Sequence, residues 1–185
     1  MAHAAATGYS VEDLDWLRVE LGVAHVELDP WGSLIVSPAT DEHETAMAVL
    51  HDQAVRQLGL AAGCVRSNSF AWKIPGGSGY LNVPDLAVLV PGWQRVADWH
   101  LDPPPLLVVE VASPSTRALD RGRKLADYRL GGAGMYLLVE LPPPGNPGEV
   151  AFEAHDFTTD ERLVATNAIQ LVVGGRPLRC DLRDI

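Results

Sequence analysis

One stretch of this 185-residue chain leaves few choices of fold. Leu106 to Val111 is an apolar run that carries a single acid, Glu110, near its end. Ser113-Pro114-Ser115-Thr116 follows and is a helix-start signal, with Ser115 or Thr116 as the cap. The spacing predicts a helix from there to about Leu130, a stop at Gly131-Gly132, and a second apolar strand over Met135–Leu141. A strand, a helix and a strand in that order make a crossover unit. Near-continuous apolar strands belong to a sheet covered on both faces. The fold class is therefore α/β (α+β), with a mixed central β-sheet flanked by helices.

The remaining elements fit around that unit. Ser10–Leu21 reads as a short helix with Leu14, Leu17 and Leu21 on one face. Ala24–Leu28 and Ser33–Ser37 read as a hairpin around Asp29-Pro30-Trp31-Gly32. A helix opens at Thr40 or Asp41 and runs to about Leu58, with Met47, Leu50, Ala54 and Leu58 as its apolar stripe. Gly59 and Gly63 close it. Cys64–Ile74 is read as extended, Pro75–Gly79 as a tight loop and Val83–Val90 as a strand. Pro91–Pro105 is read as a long surface connection. Glu149–Phe157 and Leu163–Val173 are read as two antiparallel strands with Asp160 in the turn, followed by a tail from Arg176 at an edge.

Composition narrows the class. Residues are 47% hydrophobic and 21% charged, the balance of a folded domain. The length suits one domain over residues 1–185, with residues 1–8 as a flexible lead. No apolar run reaches the roughly 18 residues that span a membrane, and Met1–Ser10 lacks the basic flank of a signal peptide. Cys64 and Cys180 read as buried thiols of a cytoplasmic protein. The net charge of −10 argues against binding nucleic acid by bulk charge alone. It leaves room for an enzyme that meets phosphates through a metal ion and a local basic patch, for which Arg117, Arg121, Arg123, Lys124 and Arg129 are candidates.

Asp85 and Glu110 are the candidate chemistry. Acids are rare in buried strands because an unpaired buried charge is costly. A divalent cation between two such acids resolves the cost, and carboxylate oxygens suit Mg²⁺ or Mn²⁺. Asp120, Lys124 and Tyr128 are spaced by four and share a helical face. Each has a plainer reading. Asp85 can be a turn residue after Pro84, and Glu110 can pair with Lys124 or Arg121 with no metal. The helix face can simply be solvated, and Glu27 and His43, taken alone, read as surface residues. Capping explains Ser113, Ser115 and Thr116 better than a nucleophile does.

Several blocks resemble a known family. These are Val83-Pro84-Asp85-Leu86, Leu107 to Thr116, Asp120-Arg121-Gly122-Arg123-Lys124 with Tyr128, Gly32 to Pro38, and Gly134 to Val139. Together they resemble the Uma-type family of restriction endonucleases, a branch of the PD-(D/E)XK nuclease superfamily. The resemblance implies a restriction-endonuclease-like domain with Asp85 and Glu110 as metal-binding acids. The superfamily's lysine usually stands two residues after the second acid, where this chain has Ala112. Lys124 is the implied substitute, with Glu27 and His43 as further site residues. The implied activity is Mg²⁺- or Mn²⁺-dependent hydrolysis of DNA phosphodiesters, with a homodimer as the plausible assembly. The alternatives are a catalytically inactive nuclease-like fold that serves as a binding or regulatory module, and a hydrolase of small phosphorylated molecules.

Overall fold

The computed structural model describes residues 8–9, 13, 20, 26–36, 40–67, 71–95, 100–112, 116–143 and 148–185. The helix expected over Ser10–Leu21, together with Ser113 and Ser115, lies outside or almost outside these residues.

The first hairpin pairs β1 (Val26–Leu28) with β2 (Leu34–Val36) in antiparallel register. Asp29 closes its turn, with Oδ1 accepting from Trp31 N at 2.9 Å and Ser33 N at 2.7 Å. Helix α1 (Asp41–Leu58) begins at Thr40, whose hydroxyl accepts from His43 N at 3.2 Å. Acids fill its first turn, and Gly59 ends it in the left-handed conformation at φ 55°. The expected apolar stripe is buried, with Ala46 added.

Then come β3 (Val65–Ser67), β4 (Trp72–Lys73), β5 (Leu81–Asn82), β6 (Leu86–Val88), β7 (Gln94–Arg95), β8 (Leu101–Asp102) and β9 (Leu107–Ala112). The extended reading of Cys64–Ile74 divides here, because β3 joins the central sheet and β4 joins a second one. The Pro91–Pro105 connection carries the small β7–β8 ladder, which a plain loop reading did not anticipate. Next is one continuous helical rod: α2 (Arg117–Leu119), a π-helical turn (Asp120–Lys124) and α3 (Leu125–Leu130). Thr116 precedes it without making a side-chain cap; its hydroxyl instead bonds Asp120. The chain ends with β10 (Met135–Glu140), β11 (Ala151–Asp156), β12 (Glu161–Thr166), β13 (Ala168–Val173) and β14 (Arg176–Asp181). The single strand expected over Leu163–Val173 is broken at Asn167, whose φ of 62° turns the chain out of the sheet.

The central sheet runs β12-β11-β10-β9-β6-β3, with β9 and β10 parallel as the crossover requires. A second sheet runs β2-β1-β5-β4. Side-chain alternation divides the central sheet into two faces. Leu86, Val88, Val109, Val111, Leu137 and Val139 meet α1 and the β13–β14 hairpin. Gln53 and Gln57, one turn apart on α1, each exchange two hydrogen bonds with the backbone of β14, at 2.8 and 2.9 Å. These side chains complete the ladder of an edge strand and lock the hairpin to the helix. The opposite face carries Ala87, Val108, Ala112, Tyr136 and Leu138, packed with Trp72 of β4 and Tyr128 of the helical rod. Cys64 and Cys180 are both buried and free. Among the described residues, no helix is long and apolar enough to cross a membrane.

Candidate active site

The second face holds the charged residues. Leu86 pairs with Val109 across the antiparallel β6–β9 ladder, so Asp85 lies opposite Glu110. The Asp85 carboxylate is anchored there by Val111 N–H, which donates to Oδ2 at 2.7 Å. Alternation puts Ala112 on the face of Glu110, packed among apolar neighbours. No cation comes from that position. The ammonium of Lys124 arrives from the helical rod instead, 3.0 Å from Glu110 Oε1 and 3.5 Å from Asp120 Oδ1.

Glu27 completes the cluster from the second sheet. Its Oε1 accepts from Val83 N–H at 3.0 Å and lies 3.0 Å from Lys124 Nζ. The surface readings of Glu27 and of the Lys124 face therefore do not hold. Tyr128 donates its hydroxyl to Glu110 Oε1 at 2.6 Å and stacks on Trp72, with ring centroids 5.8 Å apart. His43 Nε2 lies 3.3 Å from Asp85 Oδ2. The seven site residues expected from the sequence thus come together around Asp85 and Glu110, with His43 reaching Asp85 from α1 and Glu27 reaching Lys124 from the second sheet.

Four buried carboxylates, Glu27, Asp85, Glu110 and Asp120, surround one buried ammonium. Burial pushes the Glu110 carboxyl well above the usual range; Lys124 opposes this, while Asp85, Asp120 and Glu27 add to it. Asp120 is raised for the same reasons, chiefly burial, against the pull of Lys124. For Lys124 burial acts downward, yet the carboxylates outweigh it and keep the ammonium charged. Burial and Glu110 hold the Tyr128 phenol protonated, so it is a fixed donor. At His43 burial acts downward, and the bond and charge of Asp85 outweigh it to raise the imidazole.

The donor set fits a hard divalent cation. Among the described residues, no group of three or more His, Cys, Asp or Glu side chains is placed to hold a metal by itself. Mg²⁺ does not need one, because it is commonly held by one or two carboxylates plus water and substrate oxygens. Asp120 Oδ1 is buried and accepts no hydrogen bond, with the Lys124 ion pair at 3.5 Å beside it, and the cluster is short of positive charge. Both observations suit an added cation beside Asp85 and Glu110.

The sequence reading missed Arg123 as a site residue. Its guanidinium donates to Asn82 Oδ1 at 2.6 Å, lies 3.3 Å from Asp127 Oδ2 and 3.8 Å from Glu27 Oε2, and sits 3.7 Å over the Tyr80 ring. Asp127 in turn accepts from Ser78 N at 2.9 Å and from the Ser78 hydroxyl, which fastens the Gly-rich loop to the rod. The acid four residues after Arg123 was the available signal. The expected basic patch is also changed. Arg117 and Arg121 pair with Glu140, Arg129 pairs with Asp160, and Arg123 and Lys124 point inward.

Comparison with known proteins adds family and fold. The Uma2 sequence family, described as "Putative restriction endonuclease", matches residues 14–156. A crystal structure from Anabaena variabilis, described as "a putative nuclease belonging to DUF820", superposes with a TM-score of 0.55 at 14% identity. The match covers 81% of this chain and 82% of that one. At that identity it speaks for the fold. No curated protein matches the chain.

Proposed function

The chain belongs to the Uma2 family, and on that premise we propose that it is a metal-dependent endonuclease of the PD-(D/E)XK type that hydrolyses DNA phosphodiesters. One observation carries the reading. Lys124 lies 3.0 Å from Glu110, whose carboxylate is opposite Asp85 on the adjacent strand. This reproduces an acid–acid–lysine constellation even though Ala112 occupies the usual lysine position.

Asp85 and Glu110 would hold Mg²⁺ or Mn²⁺, which supplies Lewis acidity toward a phosphate oxygen and lowers the pKa of a bound water. Val111 N–H and the Tyr128 hydroxyl fix the two carboxylates in place. Lys124 stays protonated among its acids, so it acts as a donor that stabilises charge developing on the phosphate. Glu27 and Asp120 hold the ammonium from two further directions and limit its motion. A two-fold dimer would present two such sites to the two strands of a duplex.

The test is cleavage of mixed DNA substrates in Mg²⁺ and in Mn²⁺, for the wild type beside Asp85→Ala and Glu110→Ala. Metal-dependent cutting that either variant loses supports the site. Full activity in either variant refutes the assignment.

A second reading has its own observation. Lys124 already engages three carboxylates, so the cluster can balance part of its charge without a metal. That suits a nuclease-like fold retired to a binding role. Calorimetric titration with Mg²⁺ and Mn²⁺ separates the two: binding heat lost in Glu110→Ala favours the enzyme, and no heat in the wild type favours the binding module.

A further inference from the structure

The proposed chemistry needs a path for the nucleic-acid backbone on a protein whose net charge is −10. The face of the sheet that holds Glu110 continues sideways. Glu110 pairs in register with Leu138, Leu138 with Glu153, and Glu153 with Val164. Glu153 is therefore two strand spacings from Glu110, about 10 Å, and on the same face. Glu140, two residues after Leu138, shares it. So does Arg162, which is opposite His155 and next but one to Val164.

Arg117 and Arg121 reach this row from the helical rod. Arg117 Nε is 3.2 Å from Glu140 Oε1, and Arg121 spans Glu140 at 2.8 Å and Glu153 at 3.5 Å. Arg162 Nε is 2.8 Å from Glu153 Oε1, and His155 Nε2 is at the same distance. The layering decides what the surface presents. The Glu140 and Glu153 side chains are 15% exposed, while Arg117 and Arg121 are 48% and Arg162 is 58% exposed. Two carboxylates lie beneath three guanidinium groups. The acids orient the arginines, and the outward charge is positive. Other arginines, such as Arg179 and Arg183, pair with Asp181 in the hairpin layer across the sheet.

We infer that Arg117, Arg121 and Arg162 form a track that receives DNA backbone phosphates flanking the one at Glu110. The inference rests on the nuclease reading and specifies where its substrate lies. Arginine held in a plane by a carboxylate keeps outward N–H groups that match phosphate oxygens. The contacts are to backbone, so they position the duplex without reading its sequence.

The probe is a fluorescein-labelled 30-base-pair duplex, followed by anisotropy in EDTA from about 50 to 200 mM salt. Each of Arg117→Ala, Arg121→Ala and Arg162→Ala is expected to lower the slope of log affinity against log salt by about 0.9. That is about a 3.5-fold change in the affinity ratio between those salts. Arg183→Ala is expected to leave the slope unchanged. Glu153→Gln is expected to tighten binding, because it unmasks Arg121 and Arg162; this gain cannot come from misfolding. If the wild type binds and neither the arginine variants nor Glu153→Gln differ from it, the track is refuted and the nuclease reading stands. If the wild type binds no DNA at the lowest salt, the track is refuted, because its arginines need no metal, and the cleavage assay with Glu110→Ala decides the nuclease reading separately.

Discussion

Replacing Lys124 with methionine tests the charge balance of the site directly. Methionine keeps most of the side-chain volume and removes only the ammonium. The ammonium is 3.0 Å from Glu27, 3.0 Å from Glu110 and 3.5 Å from Asp120, and it is almost fully buried. At an effective dielectric of about 20, each 3.0 Å contact carries about 5 kcal/mol of gross attraction. Desolvation of the ammonium in the wild type offsets most of that sum. Breaking such a buried set by removing one partner is expected to cost about 3–5 kcal/mol near neutral pH. The cost should shrink toward pH 5. Without Lys124 the carboxyls of Glu110 and Asp120, already raised, rise further above their unfolded values. Stability that depends on their bound protons is present at low pH and is lost as pH rises through the folded-state pKa. Urea unfolding of the metal-free protein at pH 5 and pH 8, followed by tryptophan fluorescence, measures both effects. Adding Glu110→Gln to Lys124→Met should recover about 1–3 kcal/mol, and this double variant supplies the measurement if the single one fails to fold. A loss below about 1 kcal/mol, or an equal loss at both pH values, would refute the picture of one ammonium neutralising a buried acidic cluster.

Two further outcomes concern the scaffold. A Cβ on Gly131 would lie 2.5 Å from the Trp72 indole. Gly131→Ala should therefore lower stability by about 1–3 kcal/mol through overpacking, despite its gain in helix propensity; a higher melting temperature would contradict this. Burial pushes the Cys180 thiol up to about 12, so on a Cys64→Ala background it should resist Ellman's reagent until the protein unfolds. Because this pKa is raised, its contribution is complete below the unfolded value near 9 and falls as pH rises. The alkaline stability slope should be shallower in Cys180→Ala by up to one proton, about 1.4 kcal/mol per pH unit; equal slopes would refute it.

Asp85 and Glu110 were legible because acids stand out inside apolar strands, and α1 because its cap, stripe and terminal glycine agree. Glu27 was not legible by pattern. All three residues of β1 are buried, so alternation could not single out the one facing Lys124 across 97 positions. Asn167 hid the break between β12 and β13, since one asparagine at positive φ interrupts the sheet without disturbing apolar periodicity. The arginines were visible as charges, but charge alone did not show that Arg123 turns inward or that Glu140 and Glu153 lie beneath the others. The family resemblance pointed to Lys124; its bond distances depend on the π-helical turn, which leaves no mark in the apolar periodicity.

That turn acts as a phase adjuster. In an α-helix every fourth residue overshoots a full revolution by about 40°, so three residues spaced by four fan out across the surface. The wider turn over Asp120–Lys124 brings its fourth residue back short of a revolution, which offsets the overshoot from Lys124 to Tyr128. Asp120, Lys124 and Tyr128 thereby stack in one line. Deleting Gly122, at the middle of the turn, would convert the rod to a plain α-helix. Three α-helical steps would then turn about 300°, close to the angle that the four wider steps now span, so Arg117 and Asp120 would keep nearly their bearing toward Lys124 and Tyr128. The wide turn thus absorbs one extra residue while each half of the helix serves its own partner: arginines facing outward before Gly122, and the donors to Glu110 after it.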